Sequence, residues 1–442
     1  MPIQRSHAHY ALGLLTVTYV FNFLDRQLLA ILVEPIKTEF GVSDTAMGLL
    51  YGFAFALFYA TLAIPVAALA DRSVRRNILA YAAGIWSLMT VLCGFAAGFW
   101  QLLFIRIGVA VGEAGGVPPS QSMVVDYYKP DQRATAMAIF SSATFIGTLL
   151  ALVGGAYIAQ TFSWRTAFIV VGAPGLLLAL LIRFTIKEPL RGAFDRSGIV
   201  EPTQTNIRHA ISSMWRLSAM RYTVLGIGFA GMAGYGIGYW TPSFLIRVYG
   251  MSLIEAGAMV GFVGASIGLV GSLFGGWLCD QLSRKDQKWR LLVPVWSLLL
   301  SLPLMSLFFI WPEEQIFRIG GLTMPRAIIF YAAAGFVGSW WAAPTYVVVQ
   351  ALVAPGQRTL ACAVLLLFMN LMGFGLGPVL VGLISDMLTP AYGTNAIRYG
   401  LLIGMVTYVA AGICYFLASR KYDEQMYEHR ETQDVSGVPD VT

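Results

Sequence analysis

The chain has 442 residues, 57% of them hydrophobic and only 12% charged, with a mean hydropathy of +0.69. Soluble domains carry about 25% charged residues, so a water-facing globule of this size is excluded. The net charge of +6 would suit a nucleic-acid partner, but the placement of the basic residues gives it another meaning.

Apolar runs predict twelve spans, near 10–33, 45–70, 77–98, 100–126, 134–161, 165–186, 221–247, 254–280, 290–311, 326–353, 358–387 and 396–419. The expected class is an all-α membrane protein. The first run has no small-residue cleavage site and reads as a retained helix rather than a signal peptide. A polar, basic stretch at 187–220 separates two sets of six. The expected domains are a six-helix bundle at 1–186, a cytoplasmic linker at 187–220, a second bundle at 221–421 and a cytoplasmic tail at 422–442. With the N-terminus placed in the cytoplasm, the inner side collects 21 of the 29 Lys and Arg. The outer side takes Lys37, Arg165, Arg247, Arg318, Arg326 and Arg398. This asymmetry is the positive-inside signature; it puts both termini in the cytoplasm and removes the case for nucleic acid.

The first span already carries an anomaly, Asp25-Arg26 inside an apolar run. The fourth adds Arg106 and Glu113. A charge at such depth costs at least about 2.5–3.5 kcal/mol and normally faces a bundle interior or a cavity. Arg106 and Glu113 are seven residues apart, about two turns, and so share a helix face. Spans 1 and 4 run in opposite directions and can present two acids and two bases to one space. One reading is structural pairing of Asp25 with Arg106 and of Arg26 with Glu113. The other is functional. Burial raises the pKa of a carboxyl and a neighbouring arginine lowers it, which makes an acid switchable, whereas arginine stays charged and offers a fork to phosphate or carboxylate. On that reading Asp25 and Glu113 are the proton-coupling candidates, and Arg26 and Arg106 the anion-binding ones.

Around Glu113 the run Gly112-Glu113-Ala114-Gly115-Gly116-Val117-Pro118-Pro119 predicts a kink. Span 7 carries Tyr235, Tyr239 and Trp240 among glycines, and later spans carry Trp340 and Asn370; these are further substrate-contact candidates. Gly264-Ala265-Ser266-Ile267-Gly268 matches a hydrolase nucleophile pattern but lies mid-span with no strand before it. There is no Walker-type phosphate loop. The four cysteines lie in apolar runs without a CxxC pair, and the four histidines lie outside the spans, so no metal or cofactor is expected.

The two halves repeat. Leu69, Asp71 and the basic pair Arg75-Arg76 follow span 2; Leu278, Asp280 and Arg284-Lys285 follow span 8 at the same offsets. Pro130-Asp131-Gln132-Arg133 and Pro355-Gly356-Gln357-Arg358 follow spans 4 and 10. Parallel six-span repeats are a transporter architecture. The Leu-x-Asp-x-x-x-Arg element resembles the loop signature of major facilitator transporters, with Ala67 and Val74 where that signature has glycines. Within that superfamily, Asn22-Phe23-Leu24-Asp25-Arg26, Gly48-Leu49, Asp71-Arg72, Trp86-Ser87-Leu88, Arg106, Gly112-Glu113-Ala114 and Asp131-Gln132-Arg133 resemble the spinster family of lysolipid and sphingosine-1-phosphate transporters. A sugar-acid anion:cation symporter is the alternative, resembling spans 1 and 4 in the same way.

The resemblance implies two six-helix bundles working by alternating access, not an enzyme. It implies a proton-linked transporter of an amphipathic or lipid anion, with Asp25, Arg26, Arg106 and Glu113 in coupling or head-group binding. It further implies a cytoplasmic latch built from Asp71, Arg75, Arg133, Asp280 and Arg284. The expected setting is a monomer in a bacterial inner membrane or its equivalent, with protons and membrane lipids as its other partners.

Overall fold

A computed structural model of the chain describes residues 5–191, 194, 212, 214–314, 316–319, 322–353 and 357–435. Most of the 187–220 linker and the end of the 422–442 tail lie outside the described residues.

Helical rods account for nearly all of the described chain. We label them α1 (Arg5–Phe40), α2 (Asp44–Gly48, Leu49–Phe53 and Ala54–Arg72), α3 (Arg75–Cys93), α4 (Phe99–Tyr127), α5 (Pro130–Thr161) and α6 (Trp164–Thr185). The second half supplies α7 (Ser218–Tyr249), α8 (Leu253–Ser283), α9 (Trp289–Ile310), α10 (Ile328–Ala351), α11 (Arg358–Phe368, Met369–Leu376 and Gly377–Tyr392) and α12 (Ala396–Gly404 and Val406–Val435). Every backbone N–H and C=O must be satisfied within its own segment in hydrocarbon, which is why long apolar runs become helices. The first rod, at 36 residues, extends the predicted 10–33 span at both ends, and Gly41, in the left-handed region at φ 61°, ends it.

One element corrects the purely helical expectation. Ile316–Ile319 and Leu322–Pro325 form an antiparallel hairpin, β1 and β2, pairing Phe317 with Met324 and Arg318 with Thr323. The segment lies between the predicted spans 290–311 and 326–353. Its β-branched and aromatic residues flank Gly320-Gly321, a dipeptide favoured in two-residue hairpin turns.

The internal repeat appears as matched irregularities. The fourth rod is interrupted immediately after Glu113, at 114–116, and α10 at 339–341. Pro118 stands at the head of the second piece of α4, where its missing N–H removes no helical bond. One stretch of each of α2, α5, α8 and α11 is π-helical: Leu49–Phe53, Leu150–Gly154, Met259–Ala265 and Met369–Leu376. Such a turn takes an extra residue and redirects the rod. The affected rods are related as α2 to α8, α4 to α10 and α5 to α11, six apart each time.

The chain forms two compact units. The first contains residues 1–200, 238–265 and 385–397, and the second 201–237, 266–384 and 398–442. The chain passes from one to the other within α7, α8, α11 and α12. In the first unit, rods approach closely through glycine. A Cβ at Gly112 would stand 2.5 Å from the backbone nitrogen of Trp86, and one at Gly147 would stand 2.7 Å from the carbonyl oxygen of Val20. These approaches press α4 on α3 and α5 on α1. In the second unit, a Cβ at Gly275 would stand 2.6 Å from Trp340. Large apolar side chains such as Phe104, Phe184, Leu273 and Ile329 are exposed, as a lipid-facing exterior requires.

Candidate functional site

Asp25 and Arg26 lie near the middle of α1. Adjacent helical residues diverge by about 100°, so the two reach different partners. Arg106 on α4 donates from Nη1 to Asp25 Oδ2 at 2.9 Å. Arg26 donates from Nε to Glu113 Oε2. Asp25 and Arg106 are each 1% exposed and Glu113 0%. Arg26 is the most accessible of the four, with 15% of its side chain exposed. Its guanidinium also lies 4.6 Å from the ring centre of Tyr59 and 5.1 Å from that of Phe55 on α2, a favourable cation–π arrangement. Two turns between Arg106 and Glu113 therefore serve both residues of the Asp25-Arg26 pair.

The pairs cancel in charge but not in hydrogen bonding. Asp25 Oδ1, Arg26 Nη2, Arg106 Nε and Glu113 Oε1 are buried and find no hydrogen-bond partner among the described residues. A buried polar atom left unpaired costs about 1–3 kcal/mol. These four atoms, two donors and two acceptors, belong to the two ion pairs that α1 makes with the last two turns of α4 before its break. That arrangement has unused capacity on the acids for a proton and on the arginines for an anion.

The other predicted contact residues are placed differently. Tyr239 and Trp240 belong to the first unit and are fully packed. The Tyr239 hydroxyl donates to the Met47 carbonyl at 3.1 Å, and its ring stacks on Tyr51 with centroids 4.0 Å apart. Tyr235, Trp340 and Asn370 belong to the second unit. Tyr235 meets Phe374 edge-on at 5.3 Å, and Trp340 lies 5.4 Å from Phe274. The indole N–H of Trp340 is buried without a partner among the described residues, at the break in α10. Asn370 lies in the π-helical stretch of α11.

Of the predicted latch residues, Arg75 is buried within the first unit. It pairs with Asp126, donates to Glu188 Oε1 at 2.9 Å, and donates to the Pro189 carbonyl at 3.0 Å. Arg133 donates from Nε to the Val125 and Tyr128 carbonyls, at 3.1 and 3.2 Å. Asp280 and Arg284 are exposed in the second unit. The side chain of Asp71 lies outside the described residues.

Sequence reasoning missed a second buried ion network in the first unit, at the end of α1 remote from the N-terminus. Asp44, 1% exposed, accepts from Arg247 Nη1 and Nη2 at 2.7 Å each, pairs with Lys37, and accepts from Ser385 Oγ at 2.7 Å. Arg247 Nε donates to Glu34 at 2.9 Å. Asp386 accepts from the Asp44 and Thr45 amides at 2.9 and 2.7 Å, so an acid from α11 caps the positive end of α2. The available signal was Ser43-Asp44 at a helix start; the partners stand some 200 and 340 residues away.

The Major Facilitator Superfamily profile matches residues 15–323. An MFS-type efflux pump of Mycolicibacterium smegmatis is 34% identical, over 95% of this chain and 94% of its own length. Protein spinster homolog 1 of Xenopus tropicalis is 25% identical, over 95% of this chain and 82% of its own. The crystal structure of a bacterial homolog to the human lysosomal transporter Spinster, inward-facing and unoccupied, superposes with a TM-score of 0.84 at 29% identity, covering 96% of this chain and 99% of that one. A membrane-spanning helical chain with paired irregularities, a charge cluster at a helix break and these likenesses belongs to the Major Facilitator Superfamily: it is a multi-pass membrane transporter, not an enzyme, and it resembles the spinster transporters.

Proposed function

We propose that the protein is a proton-linked, alternating-access transporter of an amphipathic anion of the lysophospholipid or sphingosine-1-phosphate kind. The observation that carries this reading is the four-charge cluster with its open hydrogen-bonding positions. Glu113 is the proton carrier and Asp25 the second acid. Arg26, the most accessible of the four, is the first contact for the anionic head group, and Arg106 holds Asp25. Protonation of Glu113 weakens its hold on Arg26 and frees that guanidinium for the anion. Tyr235, Trp340 and Asn370 are the second unit's contacts. Asp71, Arg75, Arg133, Asp280 and Arg284 act at the cytoplasmic side, with both termini there and the protein working as a monomer. The likeness to spinster proteins supports the lipid class, and the relative named as an efflux pump favours outward movement.

Flux in proteoliposomes, with and without a pH gradient, tests the coupling. Wild type follows the gradient and Glu113→Gln does not. Flux that ignores the gradient, in a protein where Glu113→Gln transports like wild type, removes the proton role. A binding screen of lysophospholipids and sphingosine-1-phosphate against hexuronates tests the substrate class. Saturable binding of the sugar acids alone removes the lipid reading.

A further inference from the structure

Arg26 is held in two ways. Its Nε donates to Glu113, and the carbon of its guanidinium stands 5.1 Å from the ring centre of Phe55 and 4.6 Å from that of Tyr59. Phe55 and Tyr59 are one turn apart on α2 and share a face. Their rings are nearly parallel, at 14°, with centres 5.8 Å apart. Phe55 is buried and Tyr59 half-buried. Together they form an aromatic seat for one guanidinium.

The direction of the seat depends on an irregularity in α2. The π-helical turn Leu49–Phe53 comes just before it. The extra residue in such a turn rotates the rest of the rod by about 100° relative to the part before it. That rotation decides which side chains of α2 meet α1, and here they are the two rings.

The two holds on Arg26 respond differently to protonation. The ion pair needs an ionised Glu113 and weakens when that carboxyl takes a proton. The attraction of a cation to an aromatic face needs only the arginine, which stays charged. Arg26 Nη2 is buried with no hydrogen-bond partner among the described residues, so the fork keeps an unused donor while Nε is engaged. A guanidinium released by Glu113 and left without a seat regains the freedom of a long side chain. An anion would then have to order it again before binding. Aliphatic residues at 55 and 59 would fill the same space and give no such hold.

We propose that Phe55 and Tyr59 are positioning residues that keep the Arg26 guanidinium at the site after Glu113 is protonated, so that an anionic head group meets an arginine already in place. This rests on the head-group reading above. The rings act through Arg26 and set the strength of anion binding without carrying charge themselves.

Two measurements test this. Unfolding in detergent decides the contact without any ligand. In a cycle of wild type, Tyr59→Leu, Arg26→Met and the double variant, the two losses should not add, because Tyr59→Leu costs less once Arg26 is gone. Losses that add mean that ring and guanidinium do not hold one another, and they overturn the seat. The second measurement is equilibrium binding of sphingosine-1-phosphate as probe. With Glu113→Gln standing for the protonated acid, adding Tyr59→Leu should weaken binding by about fivefold, the cost of ordering one long side chain. Adding Tyr59→Phe, which keeps the ring, should weaken it by less than about twofold. Where Glu113 is intact and orders Arg26 itself, Tyr59→Leu should also cost less than about twofold. An equal loss in both backgrounds means that Tyr59 acts by packing or touches the probe directly, and it overturns the positioning role. Binding to Glu113→Gln that Tyr59→Leu leaves unchanged overturns it as well. If Arg26→Met binds the probe like wild type, the head-group reading falls and the role of the rings in binding falls with it, while the unfolding cycle still decides the seat.

Discussion

Two buried ion networks share the first unit, and they are finished to different degrees. At the end of α2 nearest Gly41, Asp44 is met by Arg247, Lys37 and Ser385, and Asp386 is met by two amides and the Thr45 hydroxyl. None of the Asp44, Arg247 or Asp386 side-chain atoms is among those buried without a partner. In the middle of α1, each of Asp25, Arg26, Arg106 and Glu113 makes its pair and leaves another polar atom unmet. Both networks carry the cost of burying charge. Only the first uses all the hydrogen bonding that could offset it. A saturated network acts as a fastening, whereas an unsaturated one keeps capacity for a proton, a water or a ligand.

Substitutions can break or sharpen this contrast. The largest effect on stability should follow Arg247→Met, which leaves the buried Asp44 carboxylate with Lys37 and Ser385 alone. Unfolding in detergent should show a loss of about 3–5 kcal/mol, while the surviving protein keeps the wild-type pH dependence of flux. A pH profile altered as in Glu113→Gln would place Arg247 in the transport machinery and end the contrast. Arg106→Ala should cost about 3 kcal/mol by stranding Asp25, and adding Asp25→Asn should recover most of that stability but not transport. A double variant no more stable than the single would mean that the pair is not the source of the loss. Tyr239→Phe removes one buried hydrogen bond and should cost about 1 kcal/mol; a larger fall in probe binding than in stability would make Tyr239 a substrate contact after all. Smallest of all, Arg165→Ala breaks a pair with Glu39, whose side chain is 43% exposed, and the midpoint of unfolding should move by no more than about 0.5 kcal/mol.

Much of the architecture was legible because bilayer constraints act locally. Apolar length sets where rods run, and the Gly115-Gly116-Val117-Pro118-Pro119 run marks the interruption of α4, since glycine weakens a helix interior and proline fits only its first turn. The repeated Asp-basic and Gln-Arg motifs announced a duplication that the structure expresses as matched π-turns and breaks. The strands Ile316–Ile319 and Leu322–Pro325 escaped because four residues carry too short a pattern to be read as a strand.

Charge told more than its share of the site and less of its surroundings. Burying Asp25, Arg26, Arg106 and Glu113 is so costly that their presence in apolar runs already implied a common space. Opposite helix directions and the seven-residue spacing allowed the four charges one common space, and the structure pairs Asp25 with Arg106 and Arg26 with Glu113. The partners of Arg75 within the first unit, Asp126, Glu188 and the Pro189 carbonyl, were not legible in the sequence. The network of Asp44, Arg247 and Asp386 joins residues about 200 and 340 positions apart. By itself, then, the sequence determined where the long apolar helices run and which charges are too deep to be incidental, because those properties follow from the cost of each residue in hydrocarbon. Only the tertiary structure decided which charges are saturated and that Tyr239 is spent on the Met47 carbonyl. Those depend on distances between helices far apart in the chain, and no local energy term encodes them.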